Sequence, residues 1–253
     1  MPAVLEAALA QPGLGLLVLA ALLGGMARGF TGFGTGLVFM PVAGLVLAPA
    51  QAVAVIVLMD LAGTLPSLPR AARAGRPREI GMLALGMLAG VPAGIWALTV
   101  LPAEAFRWSV SLMALATVAA LAAGWRWRGG RGPGMRVVVG GLSGLVGGAT
   151  ALAGPPVILY YMASPLPVAI VRANLLMFLS LVGVMMLALL ALRGVLAGPE
   201  LVLAAVLAVP FIAGARLGTA LFRPDRAGLY RVTAYLMIAG SALVGLPLWQ
   251  GGS

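Results

Sequence analysis

The chain has 253 residues, of which 62% are hydrophobic and only 9% are charged, and its mean hydropathy is +1.11. Soluble domains carry about 25% charged residues, so this composition excludes an ordinary soluble fold and indicates a multi-pass membrane protein. The absence of cysteine excludes disulfides and thiolate metal sites, and the absence of histidine removes the commonest general base and metal ligand.

The N-terminal segment Met1–Gln11 contains Glu6 and lacks a basic region, so we expect no cleaved signal peptide. A glycine-rich stretch follows at residues 23–36. Its glycines include Gly25, Gly29, Gly32, Gly34 and Gly36. A glycine inside a helix costs about 1 kcal/mol relative to alanine, and an arginine such as Arg28 near the bilayer centre costs roughly 2.5–3.5 kcal/mol. We therefore predict that the helix unwinds here and presents backbone N–H groups and one guanidinium to an anion. The alternative is that the glycines only allow close helix packing.

Six apolar segments are long enough to cross a hydrocarbon core about 30 Å thick. They are residues 50–69, 79–99, 104–124, 168–192, 200–220 and 228–247. Four shorter segments form two pairs interrupted by glycines, 13–28 with 36–48 and 137–150 with 154–163. The sequence therefore predicts an all-α membrane protein with two broken helical pairs.

A basic linker at residues 126–136 separates a first half, 1–125, from a second half, 137–253. Trp125 and Trp127 are typical of a membrane interface, and the arginines of the linker favour the cytoplasmic side. The net charge of +10 is compatible with nucleic-acid binding, but the arginines lie in short loops between apolar spans. The positive-inside rule explains that pattern, so we expect no nucleic-acid partner.

The two halves resemble each other at a shift of about 119 residues, which indicates a tandem repeat. At this shift Gly29 matches Gly148 and Thr31 matches Thr150. The basic loop 70–78 has a nearly uncharged counterpart around Arg193, whereas the loop 223–231 is more basic than its counterpart at 104–107. Equivalent loops thus favour opposite sides of the membrane, which predicts inverted repeats.

The basic loops also constrain the broken pairs. If 70–78, 126–136 and 223–231 are all cytoplasmic, the segment 137–163 must cross the membrane an even number of times. At about 27 residues it is too short for two full spans, so we predict a re-entrant hairpin, and by symmetry another within 13–48. Each half then has one hairpin and three transmembrane helices, and both chain ends lie outside the cytoplasm.

Non-helical backbone at membrane depth is tolerated only where it is buried in protein or lines a cavity, so the two breaks mark a candidate transport site. In the second break, Pro155 and Pro156 suit the first turn of a new half-helix, whose N-terminus favours anions. The predicted substrate-binding residues are Arg28, Gly29, Thr31, Gly32, Gly34, Thr35, Gly36, Thr150, Gly154, Pro155, Arg172 and Asn174.

The charged candidates leave alternatives open. Arg28 either neutralises a substrate anion or pairs with Asp60, the only acidic residue deep in a predicted span. Asp60 is either that counter-ion or a protonatable group that couples transport to a proton gradient. Arg172 either faces the same cavity, together with Asn174, or marks the cytoplasmic boundary. Without histidine, cysteine or paired carboxylates we expect no enzyme, cofactor or metal site.

Two glycine motifs carry a family resemblance. The first is Gly25-x3-Gly29-x2-Gly32-x-Gly34-x-Gly36-x4-Pro41, and the second combines Gly144-x3-Gly148 with Gly154-Pro155-Pro156-Val157-Ile158-Leu159-Tyr160. In these motifs the chain resembles the sulfite exporter TauE/SafE family of membrane transporters, over roughly residues 14–247. The resemblance implies transport of sulfite, sulfonates or related small organic anions, mostly outward, across the cytoplasmic membrane. Ala151 and Ala153 stand where the family pattern has glycines, which predicts a tighter approach of backbone to ligand.

The sequence thus predicts a secondary transporter of small anions that works by alternating access about a mid-membrane site. An anion channel and a non-transporting membrane assembly factor are the alternatives. The expected partners are the anion and the lipid bilayer, with protons as coupling ion and a homodimer left open.

Overall fold

The computed structural model describes residues 6, 8–125, 127, 129–130, 132–196, 198–223 and 227–249. Predicted loop residues that lie outside these ranges are Arg126, Arg128, Arg131, Pro224, Asp225 and Arg226. The helices are α1 (Leu14–Thr31), α2 (Thr35–Val46), α3 (Pro49–Thr64), α4 (Leu68–Ala74), α5 (Pro77–Val100), α6 (Ala103–Ala122), α7 (Pro133–Thr150), α8 (Gly154–Met162), α9 (Val168–Leu192), α10 (Gly198–Leu221) and α11 (Ala227–Gly245). The described residues include no strand, which confirms the all-α prediction.

Seven helical stretches within the described ranges are long and apolar enough to cross a membrane. They are Leu14–Thr31, Pro49–Ala74, Pro77–Val100, Ala103–Ala122, Val168–Leu192, Gly198–Leu221 and Gly228–Gly245. Six of them correspond to the six predicted spans. The seventh is α1, which belongs to the first broken pair; its 18 residues rise about 27 Å. The chain is therefore a multi-span membrane protein.

Each broken pair folds as a helical hairpin. In the first, Gly13 before α1 lies against the end of α2, because a Cβ on Gly13 would be 2.9 Å from Val46 Cγ2. In the second, Arg136 near the start of α7 and Tyr161 near the end of α8 approach the Glu79 carboxylate within 3.6 and 3.4 Å. Each hairpin therefore begins and ends at the same end of the molecule.

A stripe of small residues joins the second hairpin to the first half. A Cβ on Gly86 of α5 would lie 1.9 Å from the Val137 carbonyl oxygen, and one on Gly94 would lie 2.2 Å from that of Leu145. Because the contact advances along both helices together, α5 and α7 run in the same direction. Only glycine permits backbones this close.

The first hairpin is joined to the second half in the same way. A Cβ on Gly25 of α1 would lie 2.2 Å from the Phe211 carbonyl oxygen of α10, and one on Gly29 would lie 2.7 Å from that of Ala215. The helices α1 and α10 therefore also run in the same direction. The first hairpin thus packs on α10 of the second half and the second hairpin packs on α5 of the first half, so the two halves interlock.

We expect Gly90→Ala to lower the melting temperature by several degrees. The added Cβ would lie 2.1 Å from the Gly141 carbonyl oxygen, and overpacking of this kind costs typically about 1–3 kcal/mol. Gly81 in the same helix is the matched control, since a Cβ there meets nothing within 4 Å. Gly81→Ala should be neutral or stabilising by up to about 1 kcal/mol. Thermal unfolding in detergent measures both, and equal melting temperatures would contradict the packing argument.

Candidate functional site

The two hairpin tips meet each other. The first tip comprises residues 32–34, between α1 and α2, and the second comprises 151–153, between α7 and α8. A Cβ on Gly36, just after the first tip, would lie 3.0 Å from Leu152 Cδ2 and 3.3 Å from the Ala151 carbonyl oxygen. The two interruptions that the sequence predicted as a pair are therefore in contact.

In both hairpins the first helix ends at a residue with positive φ that donates its N–H to the carbonyl oxygen four residues earlier. Gly32 has φ +84° and donates its N–H to the Arg28 carbonyl oxygen at 2.7 Å. Ala151 has φ +59° and donates its N–H to the Gly147 carbonyl oxygen at 2.7 Å. A left-handed residue closes a helix C-terminus in this way, and it is normally glycine.

We expect Ala151→Gly to raise the stability of the protein by about 1 kcal/mol. An L-residue in the left-handed region is strained by roughly 1–2 kcal/mol relative to glycine, and the greater freedom of glycine in the unfolded chain offsets part of that gain. The rise in melting temperature measures it. Ala153 is the control, because it has φ −67°, and Ala153→Gly should destabilise. A lower melting temperature for Ala151→Gly would contradict the prediction.

A cavity of about 90 Å³ lies between the tips, with room for a few water-sized groups. The predicted site residues in its wall are Arg28, Gly34, Thr35, Gly36, Asp60, Gly154 and Pro155. Apolar side chains of α3 and α9 complete the wall, including those of Ile56, Val57, Leu179, Val182 and Met186.

Arg28 and Asp60 form an ion pair in the cavity wall. Arg28 Nη1 contacts Asp60 Oδ1 and lies 3.4 Å from Thr35 Oγ1. Within the described part of the chain both contacts of this guanidinium use Nη1, so it keeps further N–H donors for a ligand. The two side chains are 16% and 27% exposed, so the pair borders the cavity and is not sealed in the core.

Among the described residues that line this cavity, the charged ones belong to the first half. At the repeat shift, Arg28 corresponds to Gly147 and Asp60 corresponds to Leu179. Leu179 also lines the cavity. The charged pair therefore has no charged counterpart at the corresponding positions of the second half.

Thr31 and Thr150, the last residues of α1 and α7, lie outside the cavity wall. Their hydroxyls form hydrogen bonds within their own hairpins. The Thr31 hydroxyl is 2.7 Å from the Phe33 carbonyl oxygen and accepts the Phe33 N–H at 3.3 Å. The Thr150 hydroxyl donates to the Val146 carbonyl oxygen at 2.7 Å and accepts the Leu152 N–H at 3.3 Å. These hydrogen bonds shape the two tips. Of the three predicted hydroxyl donors, Thr35 alone borders the cavity in the described structure.

The remaining predicted residues are placed elsewhere. Gly29 packs on α10, and Gly32 lies against Arg172, whose Nε would be 3.1 Å from an added Cβ. The Arg172 guanidinium donates to the Phe30 carbonyl oxygen at 3.4 Å and lies 5.8 Å from the Phe222 ring centroid. Arg172 is therefore held on the outer side of the first tip.

Asn174 belongs to a second polar group, which the sequence analysis missed. Its Nδ2 is 3.4 Å from a Glu79 carboxylate oxygen and 3.1 Å from the Tyr161 hydroxyl. Arg76 and Arg136 complete this group around Glu79. The one sequence feature that pointed to this group is an acidic residue in the first turn of a predicted span. That feature is not specific, because carboxylates are favourable at helix N-termini in general.

Comparison with known families gives a match over nearly the whole chain. The model of the family described as sulfite exporter TauE/SafE matches residues 17–244, nearly the whole chain, in agreement with the resemblance in the glycine motifs. The matched range contains both hairpins and the cavity between them. Comparison with curated proteins and with solved structures yields no match.

Proposed function

The chain belongs to the sulfite exporter TauE/SafE family, and from this membership we propose that it exports small anions across the cell membrane by alternating access. Sulfite, sulfonates and related small organic anions are the proposed substrates. The observation that carries the proposal is the cavity between the two hairpin tips, with Arg28 in its wall.

The surroundings of the cavity favour a small anion. Arg28 is the only cation among the described lining residues. Two helices begin at the cavity, α2 at Thr35 and α8 at Gly154, and helix N-termini attract negative charge through unpaired N–H groups. Pro155 and Pro156 lack an N–H, so α2 offers more donors than α8. A volume of about 90 Å³ has room for a small anion of a few heavy atoms.

Helix directions support inverted repeats with re-entrant hairpins. The starts of α5 and α9 meet at Glu79 and Asn174, and their ends meet where Arg193 donates to Thr99 at 3.4 Å. Helix α10 returns after a short connection and is therefore antiparallel to α5 and α7. Since α1 is parallel to α10, it runs opposite to α7, its counterpart in the other half, as inverted repeats require.

The same directions support the proposed orientation. The loop 70–78 and the start of α7 lie at one end of the molecule, together with the start of α9. By the positive-inside rule this end is cytoplasmic, and the chain then begins and ends on the other side.

We propose that protons are the coupling ion and that Asp60 carries the proton. Its carboxylate competes with a substrate anion for Arg28, so protonation of Asp60 would release the guanidinium to the anion, and the proton and the anion would then leave the cell together down the anion's gradient. In this proposal the Arg28–Asp60 pair opens and re-forms during transport, whereas a purely structural pair would stay closed.

Flux into proteoliposomes tests the proposed function. The purified protein should transport at least one of sulfite, a sulfonate, sulfate or a short carboxylate with saturation, and with dependence on a proton gradient. Rapid flux that follows voltage without saturation would instead indicate a channel. Absence of flux for all four classes would favour the assembly role.

Single cysteines test the inverted topology, since the natural chain contains none. We expect Ala74→Cys, in the exposed part of the basic loop, and Leu196→Cys, in its counterpart, to react with an impermeant maleimide from opposite sides of the membrane. A cysteine at exposed Gly124 is the control and should react on the same side as position 74. Reaction of positions 74 and 196 from one side would refute the inverted repeat.

A further inference from the structure

We infer that Glu79 and Glu200 are gate residues, one for each end of the central cavity. The inference deepens the proposed function, because it rests on alternating access between two repeats. It concerns two carboxylates that lie outside the cavity wall.

Glu79 is the centre of a polar cluster where four helices meet. Its carboxylate is 12% exposed and lies 3.3 Å from Arg76 Nη1 and 3.6 Å from Arg136 Nη2 of α7. It also accepts from the hydroxyl of Tyr161 on α8 and the amide of Asn174 on α9, both at 3.4 Å. The Asn174 carbonyl oxygen in turn accepts the Arg76 N–H at 2.8 Å. One side chain of the first half thus holds three helices of the second.

Glu200 occupies the matching place in the second half. It is the third residue of α10, as Glu79 is the third residue of α5. It is 8% exposed and accepts from Gln51 Nε2 of α3 at 3.0 Å. In both cases the glutamate of one half accepts from an amide side chain, Asn174 or Gln51, on the third helical element of the other half.

The two contacts lie at opposite ends of the molecule. Asn174 places Glu79 at the end where α9 begins. Glu200 follows the end of α9 by a few residues, and α9 is 25 residues long, or about 38 Å. The Arg28–Asp60 cavity lies between the hairpin tips. Each glutamate therefore joins the two halves of the chain on one side of the cavity. Rocking one repeat against the other must break one contact while the other holds.

Leu179→Cys provides the reporter, because Leu179 lines the cavity and the chain has no other cysteine. The rate of labelling by an impermeant thiol reagent is measured from each face in proteoliposomes. We expect Glu79→Gln to raise labelling at least threefold from the face where α5 begins and to lower it from the other face. Glu200→Gln should do the reverse. Glu104→Gln, an exposed first-turn glutamate of α6, is the matched control and should change neither rate.

Tyr161→Phe provides a second test if Glu79→Gln folds poorly, since it removes only the hydroxyl that donates to Glu79 and accepts from Asn174. It should shift labelling in the same direction as Glu79→Gln, by a smaller factor. Labelling that neither glutamate variant changes, or that both change from the same face, would overturn the inference. Labelling needs no flux, so the two proposals fail separately: wild-type flux with unaltered labelling removes only the gates, and absent flux removes the transport function.

Discussion

Replacing Arg28 with glutamine is expected to lower anion flux roughly 100-fold or more. A hydrogen bond to a charged group contributes about 1.5–3 kcal/mol, and about 1.4 kcal/mol corresponds to tenfold in affinity, so two lost bonds reach this size. The substitution also leaves Asp60 in the cavity wall without its cation, and the remaining negative charge repels an anion. Initial rates in proteoliposomes over a range of substrate concentrations measure the loss.

Two further variants separate charge from geometry. Arg28→Lys keeps the cation but loses the planar fork of donors, so flux should fall by a smaller factor. Arg216→Gln removes the same charge from an exposed position on α10 and should leave flux unchanged. If Arg28→Gln keeps the wild-type rate and melting temperature, Arg28 has no part in the proposed site.

The hairpins and the ion pair could be predicted because the residues involved conflict with their surroundings. An arginine and an aspartate inside apolar segments have no reason in ordinary helix packing, and closely spaced glycines beside them favour a helix end, so the sequence pointed to Arg28, Asp60 and the tip at Gly32 and Gly34. The internal shift then located the second tip at Ala151. Length and hydropathy were sufficient for six of the seven spans.

Other parts of the site could not be predicted, for two physical reasons. Apolar residues such as Ile56 and Met186 line the cavity, and the same residue types fill the core. Composition therefore cannot distinguish cavity residues from core residues. The direction of a hydroxyl is set by the carbonyls near it, and at Thr31 and Thr150 those carbonyls belong to the same hairpin: Ala27 and Phe33 for Thr31, and Val146 for Thr150. Helix rotation decides whether Arg172 faces the cavity or the outer side of the tip, and the sequence leaves this open.

Replacing Asp60 with asparagine is expected to abolish the dependence of flux on the proton gradient and to lower the KM for the anion about tenfold. In the proposed coupling, a proton on Asp60 ends its competition for Arg28 and lowers the KM. In Asp60→Asn the competitor is always neutral, so KM should be low and flat with pH. Flux measured at several pH values, with and without an imposed gradient, tests both expectations.

A purely structural ion pair makes the opposite prediction. It would leave the pH dependence of flux intact and would lower the melting temperature when either partner is removed, because a charge in the cavity wall loses its counter-ion. The exchange Arg28→Asp with Asp60→Arg distinguishes the two roles: a structural pair should recover both stability and transport. A transport pair should recover stability alone, because the cation then leaves the end of α1 at the tip and projects from α3 at position 60. Recovery of proton-coupled flux by the exchange would therefore reject a coupling role for Asp60.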